Sequence, residues 1–276
     1  MSRSQAEKAE TFRALHARDG VFVIPNPWDI GTARILEALG FEALATTSAG
    51  YAHSRGLKDG AKTIGRAEML AHASEIVEAS ELPVSADLEN GFGDAPEDAA
   101  ETIKGAIAVG LAGASIEDAT MNPDDPIYDK ALAVERVTAS VEAARSVDFP
   151  FTLTARAENF IHGRPDLDDT IARLQAFEAA GADVLYAPGL RSLDQIRAVC
   201  EAVSKPVNVV AGLGSVAFTV AELADAGVSR ISLGSTLSRL AYGAFIRAAK
   251  EMQADGTFSF ADDAVPYAEL QDFMSG

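Results

Sequence analysis

Along the chain, short apolar runs alternate with longer Ala-rich stretches of helical character. The runs are Val21–Pro25, Ala43–Thr47, Pro83–Asp87, Ala114–Glu117, Phe151–Arg156, Val184–Ala187, Val207–Ala211 and Arg230–Leu233. The stretches that follow them lie near 29–39, 65–80, 96–109, 130–147, 167–180, 192–203, 216–226 and 236–254. Pro96 with Glu97 and Asp98 marks one helix start, and Gly40, Gly110, Gly181 and Gly227 mark helix ends. Eight such alternations predict an α/β fold, a (β/α)8 TIM barrel. A doubly wound open sheet is the alternative. Its dinucleotide-binding version loses support because no Gly-x-Gly-x-x-Gly follows the first run.

No low-complexity linker interrupts the pattern, so 1–276 reads as one domain with 255–276 as a C-terminal extension. That extension carries Phe258, Phe260, Tyr267, Leu270, Phe273 and Met274. Apolar residues beyond the eighth helix need a burial partner, and a neighbouring subunit is the expected one. The chain should therefore be a homo-oligomer, a dimer or a tetramer.

Composition narrows the function. At 276 residues and 48% hydrophobic, the chain can build one large core. No apolar run reaches the roughly 18 residues of a membrane span. Residues 1–8 carry no apolar core of a secretory signal. The single cysteine, Cys200, excludes an internal disulfide framework, and a reducing, cytoplasmic setting is expected. Lys and Arg total 23 against 41 Asp and Glu, a formal charge of −18. That balance disfavours nucleic acid and anionic membrane as partners. An anionic small molecule would need local positive groups.

In a barrel of this class the chemistry sits at the C-terminal mouth. The stretch Pro83-Val-Ser-Ala-Asp-Leu-Glu-Asn-Gly-Phe-Gly93 ends a strand there. Period-2 alternation puts Ser85, Asp87 and Glu89 on one face, the acids about 6–7 Å apart. Such a pair is either a polar strand end before a glycine turn or a site for a hard cation such as Mg2+. Glu117 and Asp118 end the fourth run, and Arg156, Glu158 and Asn159 the fifth. So many buried acids need a metal or the arginine to offset them. Arg156 fits both an internal ion pair with Glu117 or Glu158 and a bidentate clamp on a carboxylate. Ser48-Ala49-Gly50 is either an ordinary tight loop or one whose N–H groups face an anion. Trp28 caps the pocket or packs beside it; Tyr186 and Asn208 end or continue later strands at the mouth.

His16 and His72 fall in helical segments and read as surface residues. His53 and His162 fall in mouth loops as candidate proton carriers. No His-x-x-x-His pair, Gly-x-Ser-x-Gly elbow or Walker-type loop is present. Cys200 reads as a core or surface thiol rather than a nucleophile.

Several segments taken together resemble the phosphoenolpyruvate mutase/isocitrate lyase superfamily. They are Pro25-Asn-Pro-Trp-Asp29 with Ala33-Arg34, Thr46-Thr-Ser-Ala-Gly50, Asp59-Gly60, Asp87-Leu-Glu-Asn-Gly-Phe-Gly93, Gly113-Ala-Ser-Ile-Glu-Asp118 and Thr154-Ala-Arg156. The resemblance runs from about Phe12 to about Phe245. It implies a (β/α)8 barrel, often tetrameric, with a C-terminal helix exchanged between subunits. It also implies making or breaking a C–C or P–C bond beside a 2-oxo or 2-hydroxy carboxylate through a Mg2+-held enolate. By position it makes Asp87, Glu89 and Glu117 the metal residues, with Glu89 in place of the second acid of Asp-x-Asp-Thr-Gly and Asn90 in place of the Thr. Mn2+ is the expected substitute for Mg2+. It makes Ser48, Ala49 and Gly50 the carboxylate loop, Arg156 the substrate arginine, and Asp59 an acid on the loop after the second strand.

The loop 119–129 departs from the lyase pattern Lys-x-Cys-Gly-His, having no cysteine and no lysine. Cleavage of isocitrate or 2-methylisocitrate loses its usual thiol acid there, and the mutase loop is missing too. The leading expectation is a Mg2+-dependent C–C lyase, including a decarboxylase, of a small 2-oxo or 2-hydroxy carboxylate. Arg156, Asp59, His53 and Tyr128 are its catalytic candidates. Ser48, Ala49, Gly50, Trp28, Arg156 and Asn208 are its substrate-binding candidates. The proton donor is unassigned, with Tyr51, His53, Tyr128 and His162 as the candidates. A phosphonate P–C hydrolase or mutase and a non-catalytic 2-oxo-acid-binding barrel are the alternatives.

Overall fold

The structure is a computed structural model that describes residues 3–60, 63–212 and 217–275. Its strands are β1 (Phe22–Ile24), β2 (Leu44–Ala45), β3 (Val84–Asp87), β4 (Gly113–Glu117), β5 (Thr152–Arg156), β6 (Val184–Tyr186), β7 (Val207–Val210) and β8 (Arg230–Ser232). All pair in parallel, in the order β1-β8-β7-β6-β5-β4-β3-β2. The two ends of that sheet meet where Ala45 N donates to Pro25 O and Asn26 Nδ2 to Thr46 O, each at 3.0 Å. The result is a nearly closed (β/α)8 barrel, and every apolar run became a strand.

The helices are α1 (Gln5–Ala17), α2 (Ile30–Ala38), α3 (Ser48–Ser54), α4 (Arg66–Ala79), α5 (Pro96–Ala108), α6 (Lys130–Ala144), α7 (Leu167–Ala179), α8 (Leu193–Ala202), α9 (Val220–Asp225), α10 (Thr236–Ala254) and α11 (Tyr267–Met274). The predicted segment 216–226 corresponds to α9; its first residue lies outside the described residues. Alternation along β5 shows how sequence sets the layers. Leu153 and Ala155 enter the cores between strands and helices, while Thr154 and Arg156 turn to the barrel axis.

Helix α1 closes the bottom of the barrel, where Phe12 and Leu15 cluster with Phe22, Ile24 and Ala112. His16 lies edge-on between Phe12 and Phe22, ring centroids 4.7 and 5.0 Å away. It is thus part of the plug and not a surface residue. His72 is also interior, 3% exposed and stacked on Tyr51 at 3.9 Å. Burial pushes the pKa of His72 down to about 4. Both were expected outside because a single polar residue on a helix face looks solvated unless the packing of that helix is known.

Within the single chain the C-terminal extension has little cover: Phe258, Val265, Tyr267 and Leu270 are exposed. Helix α11 lies on α2 of its own chain, with Arg34 Nη1 donating to Met274 O at 3.0 Å. The eighth barrel helix, α10, stands uncovered as well. Its only buried residue is Ser238, and Leu240 and Phe245 are 64% and 70% exposed.

Candidate active site

The cation at the mouth is Arg156, the last residue of β5. Its register partners are Glu117 on β4 and Tyr186 on β6. Three acids grip its fork: Asp87 Oδ1 lies 2.8 Å from Nη1, Glu117 Oε2 3.1 Å from Nη2 and Glu158 Oε1 2.8 Å from Nε. The guanidinium also sits 5.1 Å from the centroid of the Tyr186 ring. Burial works against its charge, but Glu158, Glu117 and Asp87 outweigh that and raise its pKa well above the usual value. The internal ion pair expected for Arg156 is present, with three partners.

Asp87 ends β3 and joins two elements. Its Oδ2 accepts from Ser48 N at 3.2 Å and Ser48 Oγ at 2.9 Å, while Oδ1 takes Arg156. Ser48, Ala49 and Gly50 are the first turn of α3, capped by Thr47, and not a loop. Gly50 is required by close approach: a Cβ there would lie 2.6 Å from Thr47 Cγ2 and 3.1 Å from Trp28 Cβ. Trp28 therefore packs behind this turn and does not line the cavity.

Glu89 breaks the predicted alternation. The strand stops at Asp87, and Glu89 adopts φ 49°, a left-handed conformation unusual outside glycine. Its side chain leaves the face of Ser85 and Asp87 and lines a small recess with Asp59, Gly60 and Lys58. Burial, then the charges of Asp87 and Asp59, push its pKa up to about 7. Burial also raises Glu117 well above the ordinary carboxylate range, and Glu158 to about 7. Asp118, expected among the mouth acids, instead pairs with Arg173 at 2.9 Å on α7.

These side chains open onto a cavity of about 200 Å³ down the barrel axis. Ser48, Ala49, Asp59, Asp87, Arg156 and Asn208 line it, as expected. Tyr186, Ser85, Ser115 and Arg230 line it as well. Arg230 carried no functional expectation in the sequence. The available signal was that a charged residue opens an apolar strand two positions before Ser232, on the same face.

Asp87, Glu89 and Glu117 offer carboxylate oxygens alone, the ligand type of a hard divalent cation. Among the described residues no three acid, histidine or cysteine side chains form a ready-made ligand cluster. Both Asp87 oxygens are already engaged. The donor set thus fits a cation held largely through water, and the raised carboxyl pKa values mark an excess of negative charge for it to offset.

Comparison with known proteins decides the family. The sequence profile of phosphoenolpyruvate phosphomutase matches residues 12–253. The chain belongs to that family. A Burkholderia cenocepacia protein, provisionally described as a lyase/mutase, shares 58% identity and a TM-score of 0.96, over 99% of this chain and 97% of that one. The structure of oxaloacetate acetylhydrolase with its product oxalate shares 27% identity and a TM-score of 0.87, over 98% and 94% of the two chains. The 2-methylisocitrate lyase of Halalkalibacterium halodurans is 28% identical over 92% of this chain and 85% of its own. The chain is thus a member of the phosphoenolpyruvate mutase/isocitrate lyase superfamily, and its relatives support a lyase or mutase type of activity.

Against this family background, four expected proton donors fall away from the cavity. Tyr128 is 5% exposed, and its hydroxyl donates to Asp94 Oδ1 at 2.6 Å and accepts from Asn90 Nδ2 at 2.9 Å. Burial raises its pKa to about 12. It secures the loop after Glu89. Tyr51 stacks on His72. His53 belongs to α3, not to a loop, and is exposed. His162 Nε2 lies 3.9 Å from Glu158 Oε2, behind Arg156. Asp59, the acid expected on the loop after the second strand, does line the cavity.

Cys200 sits on α8, where a Cβ on Gly227 would come within 3.7 Å of its Sγ. Burial pushes its thiol up to about 11. Cys200→Ser is expected to retain nearly all activity in a steady-state assay. A large fall in kcat at unchanged Tm would place the thiol in the chemistry after all.

Proposed function

We propose that this family member is a Mg2+-dependent lyase that cleaves a C–C bond, including by decarboxylation, in a small 2-oxo or 2-hydroxy carboxylate. The observation that supports this most is the Arg156 fork set among Asp87, Glu117 and Glu158 at the mouth of the barrel cavity. Asp87, Glu89 and Glu117 would hold the cation, chiefly through water. Bound there, it would supply Lewis-acid polarisation of the substrate oxygens. Arg156 and the first turn of α3 would orient the carboxylate beside it. The buried fork keeps its geometry because three acids fix it, so little reorganisation is needed as charge builds on the departing enolate. Asp59, whose pKa is raised by burial and by the Asp87 charge, is the proposed proton carrier. Two-oxo-acid release from a panel of oxo and hydroxy acids, with and without Mg2+, tests this reading. Turnover of a phosphonate in the same panel and of no carboxylate would favour P–C chemistry, and binding without turnover a silent barrel.

We also infer that the uncovered α10 face is an interface between copies of this chain. Leu240, Phe245, Ile246 and Met252 are all exposed on that one helix. Light scattering should report a dimer or tetramer, and Phe245→Asp should dissociate it. A stable wild-type monomer would refute the inference.

A further inference from the structure

The cavity holds two arginines in opposite electrostatic settings. Arg156 is surrounded by acids. Arg230, at the start of β8, is 5% exposed and pairs with no carboxylate among the described residues. Its Nε donates to Asn208 Oδ1 at 2.8 Å, Nη2 to Thr154 Oγ1 at 3.1 Å and Nη1 to His16 Nε2 at 3.2 Å. All three partners are neutral. His16 donates from Nδ1 to Phe12 O, and burial with the Arg230 charge pushes its pKa down to about 3. One N–H on each terminal nitrogen of Arg230 has no acceptor among the described residues.

A buried cation without a counter-charge costs several kcal/mol, roughly, and an apolar side chain would fill the same space without that cost. A purely structural role therefore explains Arg230 poorly. Arg230 lies deeper than the mouth: its guanidinium reaches Thr154, two residues before Arg156 on β5, and His16 of the bottom plug. Two residues of strand amount to about 7 Å along β5, an interval that a short carbon chain between the two arginines spans. An anion that enters the cavity meets one positive charge already matched by acids and a second that is free.

We propose that Arg230, with Asn208 and Thr154, forms an interior anion subsite that takes the second charged group of a short dicarboxylate substrate. This rests on the reading above for the first group, held at Arg156. A monocarboxylate with an apolar tail gains nothing at Arg230, so the subsite sets specificity.

Calorimetric binding of malate and of 2-hydroxybutanoate, in saturating Mg2+, tests it. The two ligands have the same carbon number and differ in a terminal carboxylate against a methyl group. The wild type should prefer malate by about tenfold or more, in line with a charged bidentate contact. Arg230→Gln should lose that preference through weaker malate binding, with 2-hydroxybutanoate little changed, and Arg230→Lys should keep part of it. Asn208→Asp, which sets a carboxylate beside Arg230, should lose it also, and serves if Arg230→Gln does not fold. Equal preference in wild type and variants, no preference in the wild type, or no binding of either ligand at millimolar concentration would overturn the subsite. Asp87→Asn separates the two readings: it should weaken both ligands alike. Unchanged binding in that variant would remove the metal reading and leave the Arg230 preference standing.

Discussion

Chelation of divalent metal is expected to abolish turnover, and added Mg2+ or Mn2+ to restore it. Asp87, Glu117 and Glu158 surround a single cation, Arg156, and Glu89 and Asp59 stand close by. With one guanidinium among that many carboxyls, burial and mutual repulsion raise four of them above their ordinary pKa. A divalent ion relieves that excess and draws an anionic substrate toward a chain of formal charge −18. Activity in EDTA, followed by readdition of each metal with metal content measured alongside, checks this. Full turnover in chelator, with bound metal at background, would contradict it.

Arg156→Lys is expected to cost at least about 2 kcal/mol of transition-state stabilisation, roughly 30-fold in kcat/KM. Lysine keeps the charge but cannot reach Asp87, Glu117 and Glu158 at once, so the fork geometry is lost. A thermal melt must accompany the kinetics, because a carboxylate stripped of its partner at 1% exposure, as Glu158 would be, also destabilises the barrel. Lost activity with a retained fold supports the clamp. Unchanged kcat/KM would make Arg156 an internal ion-pair partner only.

The barrel was legible because strands of a parallel sheet are covered on both faces and read as compact apolar runs. The order of those runs then placed Asp87, Glu117 and Arg156 at one rim, since strand ends of a barrel share a mouth. What period-2 reasoning missed lies where the backbone leaves the strand. Glu89 turns at φ 49°, so spacing misjudges its face. The turn of α3 at Ser48 is too short to show a helical period. Tyr128 and His53 sit near the mouth in sequence, yet hydrogen bonding in one case and helix packing in the other carry them off the cavity. Arg230 and Ser232 share a face in the sequence, but only closure of the barrel shows that the face points inward. The roles of α10 and α11 depend on what covers each helix, which no local pattern encodes.

Under the proposed function, a C–C bond broken in this cavity leaves an enolate that is then protonated. Proton NMR of the cleavage reaction in D2O, with Mg2+ present, reads out that protonation. The prediction is a shortened carboxylate product carrying one solvent-derived deuterium on the carbon that lost the bond, formed by the wild type and not by Asp87→Asn. A product without deuterium at that carbon, or equal product from both proteins, would contradict it.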